Sequence, residues 1–127
     1  MNPTSKTNIL IVDDEPNILV ALDFLISQQG YAVEKAMNGQ EALQKMANFQ
    51  PDLVVLDVMM PGMDGFEVAR QIRENPSHEN TRIIFLTAKG SQADRFNGYA
   101  TGAEIYLTKP FDNEELVRAI DETLAFG

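Results

Sequence analysis

The sequence contains no cysteine and only one histidine, His78. Without thiols the chain forms no disulfide bond, no thiolate zinc site and no cysteine nucleophile. Basic residues are also scarce, because 10 Lys and Arg stand against 19 Asp and Glu, for a formal net charge of −9. A field of that sign repels phosphate backbones, so we expect no direct binding to nucleic acid.

Long hydrophobic runs are absent as well. No apolar segment approaches the ~20 residues that a membrane-spanning helix needs. The first residues, MNPTSKTN, lack the basic and apolar regions of a signal peptide. We therefore expect no membrane insertion and a cytoplasmic location. A chain of 127 residues, 44% of them hydrophobic, suits one domain with one core, so we expect residues 1–127 to form a single domain.

Short apolar runs that alternate with helical patterns indicate the fold class. Three runs, at 9–12, 53–56 and 83–86, are aliphatic and predict strands buried on both faces. Two weaker strand candidates, 31–36 and 103–107, mix apolar with charged residues, which is typical of sheet edges. Between and after these strands lie five helical patterns, each with one apolar stripe.

The strict alternation predicts an α/β protein with a parallel sheet and right-handed crossovers. If strands one, three and four are central, the simplest arrangement is a doubly wound, flavodoxin-like sheet of order 2-1-3-4-5 with five helices. In such sheets, ligands bind beyond the carboxyl ends of strands one and three, where the strand order reverses.

Acidic residues follow two of the predicted central strands. Asp13 and Asp14 come directly after strand one and Asp57 after strand three, so their carboxylates should meet at one sheet edge. Two carboxylates ~5 Å apart repel by roughly 3 kcal/mol at an effective dielectric of ~20, and a hard cation relieves that repulsion. Because all these ligands are oxygens, Mg²⁺ is the expected cation. The competing interpretation is that Asp13 and Asp14 only cap the helix that begins at Pro16.

A hydroxyl and an ammonium group follow the two remaining inner strand ends. Thr87 comes after strand four and Lys109 after strand five. Taken singly, each has an ordinary structural explanation, because threonine caps helices and lysine neutralises acids. Their joint occurrence with the acids, at the carboxyl ends of one sheet, favours a functional site.

Four motifs carry a resemblance that covers nearly the whole chain: ILIVDDEP, VVLDVMMPGMDG, IIFLTAKG and GAEIYLTKPF. In their order and spacing the sequence resembles the receiver domains of two-component response regulators, in particular the chemotaxis type. By that resemblance, Asp57 accepts a phosphoryl group from a histidine kinase or a phosphotransfer protein. The chain would be a phosphorylation-controlled switch rather than a classical enzyme, with no output domain within residues 1–127.

The resemblance also implies a magnesium site with a defined ligand set. Asp14 would bind Mg²⁺ directly and Asp13 chiefly through water. Asp57 and the backbone carbonyl of Met59 would be the other protein ligands. Because the cation and Lys109 favour the charged form, we expect Asp57 to stay ionised.

The remaining roles implied by the resemblance concern the switch. Lys109 would pair with the phosphoryl group, Thr87 would be the switch hydroxyl, and Tyr106 would change rotamer on activation. The fourth helical segment, 91–103, would form the surface for a downstream protein together with the fifth strand and fifth helix. The peptide between Lys109 and Pro110 would be cis, although the sequence does not reveal its isomer.

Three other readings compete with this one. A haloacid-dehalogenase-like phosphotransferase requires a second acid two residues after its nucleophile, where this chain has Met59. A flavodoxin-like cofactor binder requires hydroxyls in its first loop, which here reads Asp13-Asp14-Glu15. A pseudo-receiver would act as an interaction module that phosphorylation does not switch, although every expected residue type of the site is present.

Overall fold

The computed structural model describes residues 7–88, 105–109 and 111–126. Within these ranges the strands and helices are, in chain order, β1 (Asn8–Val12), α1 (Pro16–Gln28), β2 (Ala32–Ala36), α2 (Gly39–Phe49), β3 (Leu53–Asp57), α3 (Gly65–Glu74), β4 (Arg82–Ala88), β5 (Ile105–Lys109) and α4 (Asn113–Phe126). A short 3₁₀ helix, Pro76–His78, precedes β4. The helix predicted at 91–103 and the peptide at Pro110 lie outside the described residues, and α4 corresponds to the fifth predicted helix.

The five strands form one sheet of order β2-β1-β3-β4-β5, and every neighbouring pair is parallel. This confirms the predicted doubly wound, flavodoxin-like arrangement. Residues of β3 are buried throughout, whereas β2 at the edge is mostly half-buried. The charged residues of β2 had predicted that edge position.

The carboxyl ends of the strands extend further than the apolar runs indicated. Asp57 is the last residue of β3, Thr87 lies within β4, and Lys109 ends β5. The backbone ladder continues through these polar residues, since Thr87 pairs with Thr108 and Ala88 pairs with Lys109. Hydrophobicity alone therefore ended the predicted third, fourth and fifth strands too early. Asp57, Thr87 and Lys109 stand on strands, whereas Asp13 and Asp14 follow the end of β1.

The sheet separates two hydrophobic layers because successive side chains of a strand face opposite sides. Leu10 and Val12 of β1 point toward α2 and α3, and Ile9 and Ile11 point toward α1 and α4. Both layers are closely packed, which fixes the strand ends that carry the polar groups.

The turns that hold these helices in place follow the sequence signals. Pro16 is the first residue of α1, and Gly30 just beyond its end has φ 94°, the left-handed conformation that favours glycine. Asn38 and Asp64 cap α2 and α3 by accepting hydrogen bonds from backbone amides three residues further on. The cap at Asp64 therefore fixes the point at which the loop after β3 ends and α3 begins.

Candidate functional site

Three acidic side chains and one lysine converge at the carboxyl edge of the sheet. One carboxylate oxygen from each of Asp13, Asp14 and Asp57 lies within 4.8 Å of the others. The Nζ of Lys109 lies 3.0 Å from Asp13 Oδ2 and 3.5 Å from Asp57 Oδ1. Residues that are up to 96 positions apart in sequence thus form one cluster, because they lie at the carboxyl ends of β1, β3 and β5 in one parallel sheet.

Asp13 is completely buried, and each of its carboxylate oxygens accepts a hydrogen bond. Its Oδ1 accepts a hydrogen bond of 2.9 Å from the backbone N–H of Glu15, and its Oδ2 accepts one of 3.0 Å from Lys109 Nζ. The N-cap of α1 is Glu15, whose own side chain makes no capping hydrogen bond within the described part of the chain. Neither Asp13 nor Asp14 is therefore the N-cap residue of α1, because Glu15 occupies that position and the helix begins at Pro16.

Asp57 is 3% exposed and lies among like charges. Burial and the negative charge of Asp13 raise the pKa of Asp57 to about 6, although the Lys109 ammonium and the Met59 backbone N–H act in the opposite direction. The N–H of Met59 donates to Asp57 Oδ1 over 3.3 Å, which is a long hydrogen bond. Asp57 was expected to stay ionised, and the raised pKa shows that burial and Asp13 work against the ionised form while Lys109 favours it.

Lys109 is the cation that balances this cluster in part. Burial alone would lower the pKa of its ammonium group, but the hydrogen bond to Asp13 and the charges of Asp57 and Asp13 raise it. The lysine therefore stays charged at neutral pH. One ammonium group faces three carboxylates, so excess negative charge remains at the site.

The donor set fits a hard divalent cation. Every ligand atom that the three acids offer is a carboxylate oxygen, the type of ligand that Mg²⁺ prefers. Asp14 is half-buried and lines an open groove of about 650 Å³ together with Met59 and Phe66. A cation at this edge can therefore keep water molecules, as Mg²⁺ usually does.

Met59 lies at the mouth of the site. Its side chain is 66% exposed, while its backbone N–H contacts Asp57 Oδ1. The carbonyl of Met59 as a metal ligand stays a prediction.

Thr87 and Tyr106 are neighbours on one face of the sheet. Thr87 is 2% exposed and lies two residues beyond Phe85, so both side chains point to the same side. Phe85 is in register with Tyr106, and their ring centroids are 5.3 Å apart. Phe66 of α3 continues the aromatic contacts, with its centroid 5.0 Å from that of Phe85. The half-buried Tyr106 thus connects the edge near Thr87 with α3.

Two contacts at the site were not predicted from the sequence. The direct pairing of Lys109 with Asp13 was one, and no local signal could have found it because the two residues are 96 positions apart. The other is Gly65, whose backbone packs against the peptide that follows Asp57. A glycine at the first position of a helix, where it forms helix poorly, was the available signal.

Comparisons with known proteins show which family this chain resembles. Residues 9–121 match the family model described as the response regulator receiver domain. The transcriptional regulatory protein ResD of Bacillus subtilis is 44% identical over 98% of this chain and 50% of its own length. PhoB of Rhizobium meliloti, a phosphate regulon regulatory protein, is 38% identical over 91% of this chain and 51% of its own. The chain thus spans about half the length of these curated relatives.

Solved structures of similar proteins have the same architecture. The chemotaxis protein CheY4 of Vibrio cholerae superimposes with a TM-score of 0.90 at 34% identity, over 94% of this chain and 99% of that one. A CheY-like receiver domain protein of Methanospirillum hungatei gives a TM-score of 0.89 at 30% identity, with 95% of each chain covered.

The chain belongs to the receiver domain family of two-component response regulators. It is thus homologous to regulatory switches of the ResD, PhoB and CheY type and is not a classical enzyme. Members of this family typically use Mg²⁺, and they interact with histidine kinases and output domains. Among the described residues, no helix is both long and apolar enough to cross a membrane. The cytoplasmic location stays a prediction.

Proposed function

We propose that this chain is a phosphorylation-controlled switch, and that Asp57 accepts a phosphoryl group from a histidine kinase or phosphotransfer protein. The observation that carries the proposal is the cluster itself: a buried carboxylate at a strand end, two further acids within 4.8 Å, and an ammonium group 3.5 Å away. A structural role alone does not require so many like charges in one place.

Asp57 acts as the nucleophile in this proposal. A carboxylate oxygen attacks the phosphorus of the donor, an O–P bond forms to give an acyl phosphate, and the P–N bond to the donor imidazole breaks. The reaction needs the ionised form of Asp57, whose pKa of about 6 leaves it mostly ionised at neutral pH. That value already includes the effect of Lys109, and a bound divalent cation would favour the ionised form further.

The remaining groups of the cluster stabilise charge and hold the cation. Lys109 already lies near Asp57 Oδ1 and would pair with a phosphoryl oxygen. Asp14 and Asp57 would bind Mg²⁺ directly, with the carbonyl of Met59 as the third protein ligand. When bound, Mg²⁺ supplies positive charge for the phosphoryl oxygens. Asp13 would act mainly through water, because both its oxygens already accept hydrogen bonds.

Phosphorylation would be transmitted by Thr87 and Tyr106. The new phosphoryl oxygens are strong acceptors, and the hydroxyl of Thr87 would turn toward them and donate a hydrogen bond. Tyr106 lies on the same sheet face, and its ring packs against Phe85. It would take up the space that Thr87 leaves, which changes the surface formed with segment 91–103, β5 and α4. We place the downstream protein partner at that surface.

The proposal is tested by incubating the protein with acetyl phosphate and Mg²⁺ and recording its intact mass. We expect the mass gain of one phosphoryl group, which disappears in Asp57→Ala and in EDTA. The matched control is Asp52→Asn, a change in an acid at the opposite end of the sheet, and this variant should be phosphorylated like the parent.

A protein that gains no mass, and whose amide NMR spectrum is unchanged by beryllofluoride with Mg²⁺, would contradict the proposal. That result would instead support the pseudo-receiver alternative, in which the domain binds partners without phosphorylation. The haloacid-dehalogenase-like alternative is not supported, because the chain belongs to the receiver family and has Met59 where that class of enzyme requires a second acid.

A further inference from the structure

Gly65, the first residue of α3, packs directly on the backbone of the proposed phosphoryl acceptor. A Cβ atom added to Gly65 would overlap the carbonyl oxygen of Asp57 and would lie 2.9 Å from Val58 Cα and 3.0 Å from Asp57 C. Real Cβ contacts are essentially never shorter than 3.0 Å. The atoms in the way belong to the main chain, so they cannot rotate aside as a flexible side chain can.

Space, rather than backbone conformation, is what requires a glycine here. Among the described residues, the glycines with positive φ are Gly30 at 94° and Gly62 at 83°, and both have open space where a Cβ atom would lie. Gly65 is in the ordinary conformation of a helix start. Any L-residue could adopt that conformation, but none could fit its Cβ.

Hydrogen bonds hold both sides of this contact in place. The N–H of Gly65 donates to the carbonyl of Val58 over 3.0 Å, and the N–H of Val58 donates to the carbonyl of Leu86 over 2.9 Å. The side chain of Asp64 caps α3 through the N–H of Glu67. Neither α3 nor the end of β3 can therefore retreat without breaking a hydrogen bond.

We propose that Gly65 is a positioning residue for Asp57. Its bare Cα lets α3 close onto the peptide between Asp57 and Val58, and this contact fixes the carboxylate of Asp57 relative to Lys109 and Asp13. The inference rests on the proposed role of Asp57 as phosphoryl acceptor. A methyl group at Gly65 shifts that peptide or the helix start, and a displacement of ~1 Å at a reacting group lowers a rate by roughly 100-fold.

The test compares Gly65→Ala with Gly39→Ala. Gly39 is the buried first residue of α2, and its added Cβ would lie 2.8 Å from Met63 Sδ and from Val68 Cγ2. Those are side-chain atoms, as is Met63 Cβ at 3.0 Å, whereas the Cβ added at Gly65 meets main-chain atoms of Asp57 and Val58. For each variant we would measure the rate of phosphorylation by acetyl phosphate, the Kd for Mg²⁺ by calorimetry, and the amide NMR shifts of Val58 and Met59.

We expect Gly65→Ala to be phosphorylated about 10- to 100-fold more slowly than the parent, with weaker Mg²⁺ binding and shifted amides of Val58 and Met59. Gly39→Ala should stay within about twofold of the parent rate, whatever its stability. Equal rates for the two variants, at equal folded fractions by circular dichroism, would overturn the inference.

A variant that unfolds is handled with an osmolyte. Trimethylamine N-oxide favours the compact state without contacting the site, so Gly65→Ala is also assayed in it after its folded fraction has been restored. A folded but slow variant supports the inference, and a parent-like rate contradicts it. If the parent binds Mg²⁺ but takes no phosphoryl group, the proposed function fails, and the Mg²⁺ affinities and amide shifts alone decide the role of Gly65.

Discussion

The two ends of the sheet use polar residues in opposite ways. At the amino end, the backbone N–H of Asn8 donates to Asp52 Oδ2 over 2.8 Å, and Asn8 Nδ2 donates to the carbonyl of Phe49 over 2.9 Å. The buried hydroxyl of Thr81 donates to the carbonyl of Pro51. Each of these side-chain groups pairs with an uncharged backbone group of another segment, 30 to 44 positions away in sequence, which stabilises the contact between the two segments.

At the carboxyl end, charged side chains from distant strands face one another instead. Asp13 and Asp57 are both buried, and Lys109 is shared between them. The pKa of Asp57 is raised because its charge is poorly accommodated there. Pairing of a side chain with an uncharged backbone group is thus typical of polar groups that stabilise the fold, whereas incomplete charge balance is typical of a ligand-binding site.

The largest effect should follow the loss of the only cation that contacts Asp13 and Asp57 within the described part of the chain. Lys109→Met leaves two buried carboxylates uncompensated, and we expect it to lower the free energy of unfolding by roughly 3–4 kcal/mol at pH 7.5. Mg²⁺ should restore part of that loss. Urea unfolding with and without Mg²⁺ measures both effects.

Lys35→Met is the control for that change, because Lys35 forms a partly exposed ion pair with Asp23 and should contribute less than about 1 kcal/mol. Similar losses of unfolding free energy in the two lysine variants would mean that the charge of Lys109 contributes no more to stability than that of a surface lysine. The phosphorylation rate of Lys109→Met should also fall by about 100-fold.

Removing the charge of Asp57 should have the opposite sign. The pKa of Asp57 is about 6 in the folded protein and 3.8 in its ordinary state, so the folded protein binds this proton more tightly. The contribution to stability is fully present below pH 3.8 and is lost as pH rises through 6. Asp57→Asn should therefore stabilise the metal-free protein by up to about 3 kcal/mol at pH 7.5 and by nothing below pH 4.

Asp52→Asn tests whether the amino end behaves differently. An asparagine oxygen can still accept from the N–H of Asn8, so we expect a change below about 1 kcal/mol at either pH. Thermal unfolding of both variants at pH 4 and pH 7.5 gives the comparison. A stabilised Asp52→Asn, or a destabilised Asp57→Asn, would contradict the distinction between the two ends.

Met59→Asn should speed the loss of the phosphoryl group. The exposed thioether of Met59 offers no hydrogen bond to an attacking water, whereas an amide can orient one. We expect the rate of dephosphorylation to rise about tenfold, followed by intact mass after removal of acetyl phosphate. Met37→Asn, a change in another exposed methionine, serves as the control and should leave the rate unchanged.

The smallest effect should come from the buried threonines near the two ends of β4. Thr81→Val leaves the Pro51 carbonyl without its hydroxyl donor and should cost about 1 kcal/mol in urea unfolding, with no effect on signalling. Thr87→Val should still be phosphorylated but should lose the response of the Tyr106 ring, observed by NMR. A Tyr106 response that survives in Thr87→Val would remove Thr87 from the proposed switch.

Most of the fold was predictable because it depends on repeated, local patterns. The aliphatic runs gave the three central strands, and the charged residues of β2 gave an edge strand. The exact strand ends were not predictable, since the hydrogen-bond ladder continues through polar residues such as Thr87 and Lys109.

The site was predictable as a collection of residue types at strand ends, but not as a set of contacts. The pairing of Lys109 with Asp13, the raised pKa of Asp57 and the packing of Gly65 depend on distances between separate elements. Strand order predicts that these residues lie near one sheet edge, but it does not give the distances between their atoms. The helix predicted at 91–103 lies outside the described residues and stays a prediction.

The sequence separation of Asp13 and Lys109 also bears on how the protein is made. During synthesis from the amino terminus, Asp13 and Asp57 leave the ribosome long before Lys109, which follows Asp13 by 96 residues. The last strand thus supplies the counterion for acids at the ends of the first and third strands, and the ion pairs of this edge are complete only when all five strands have paired.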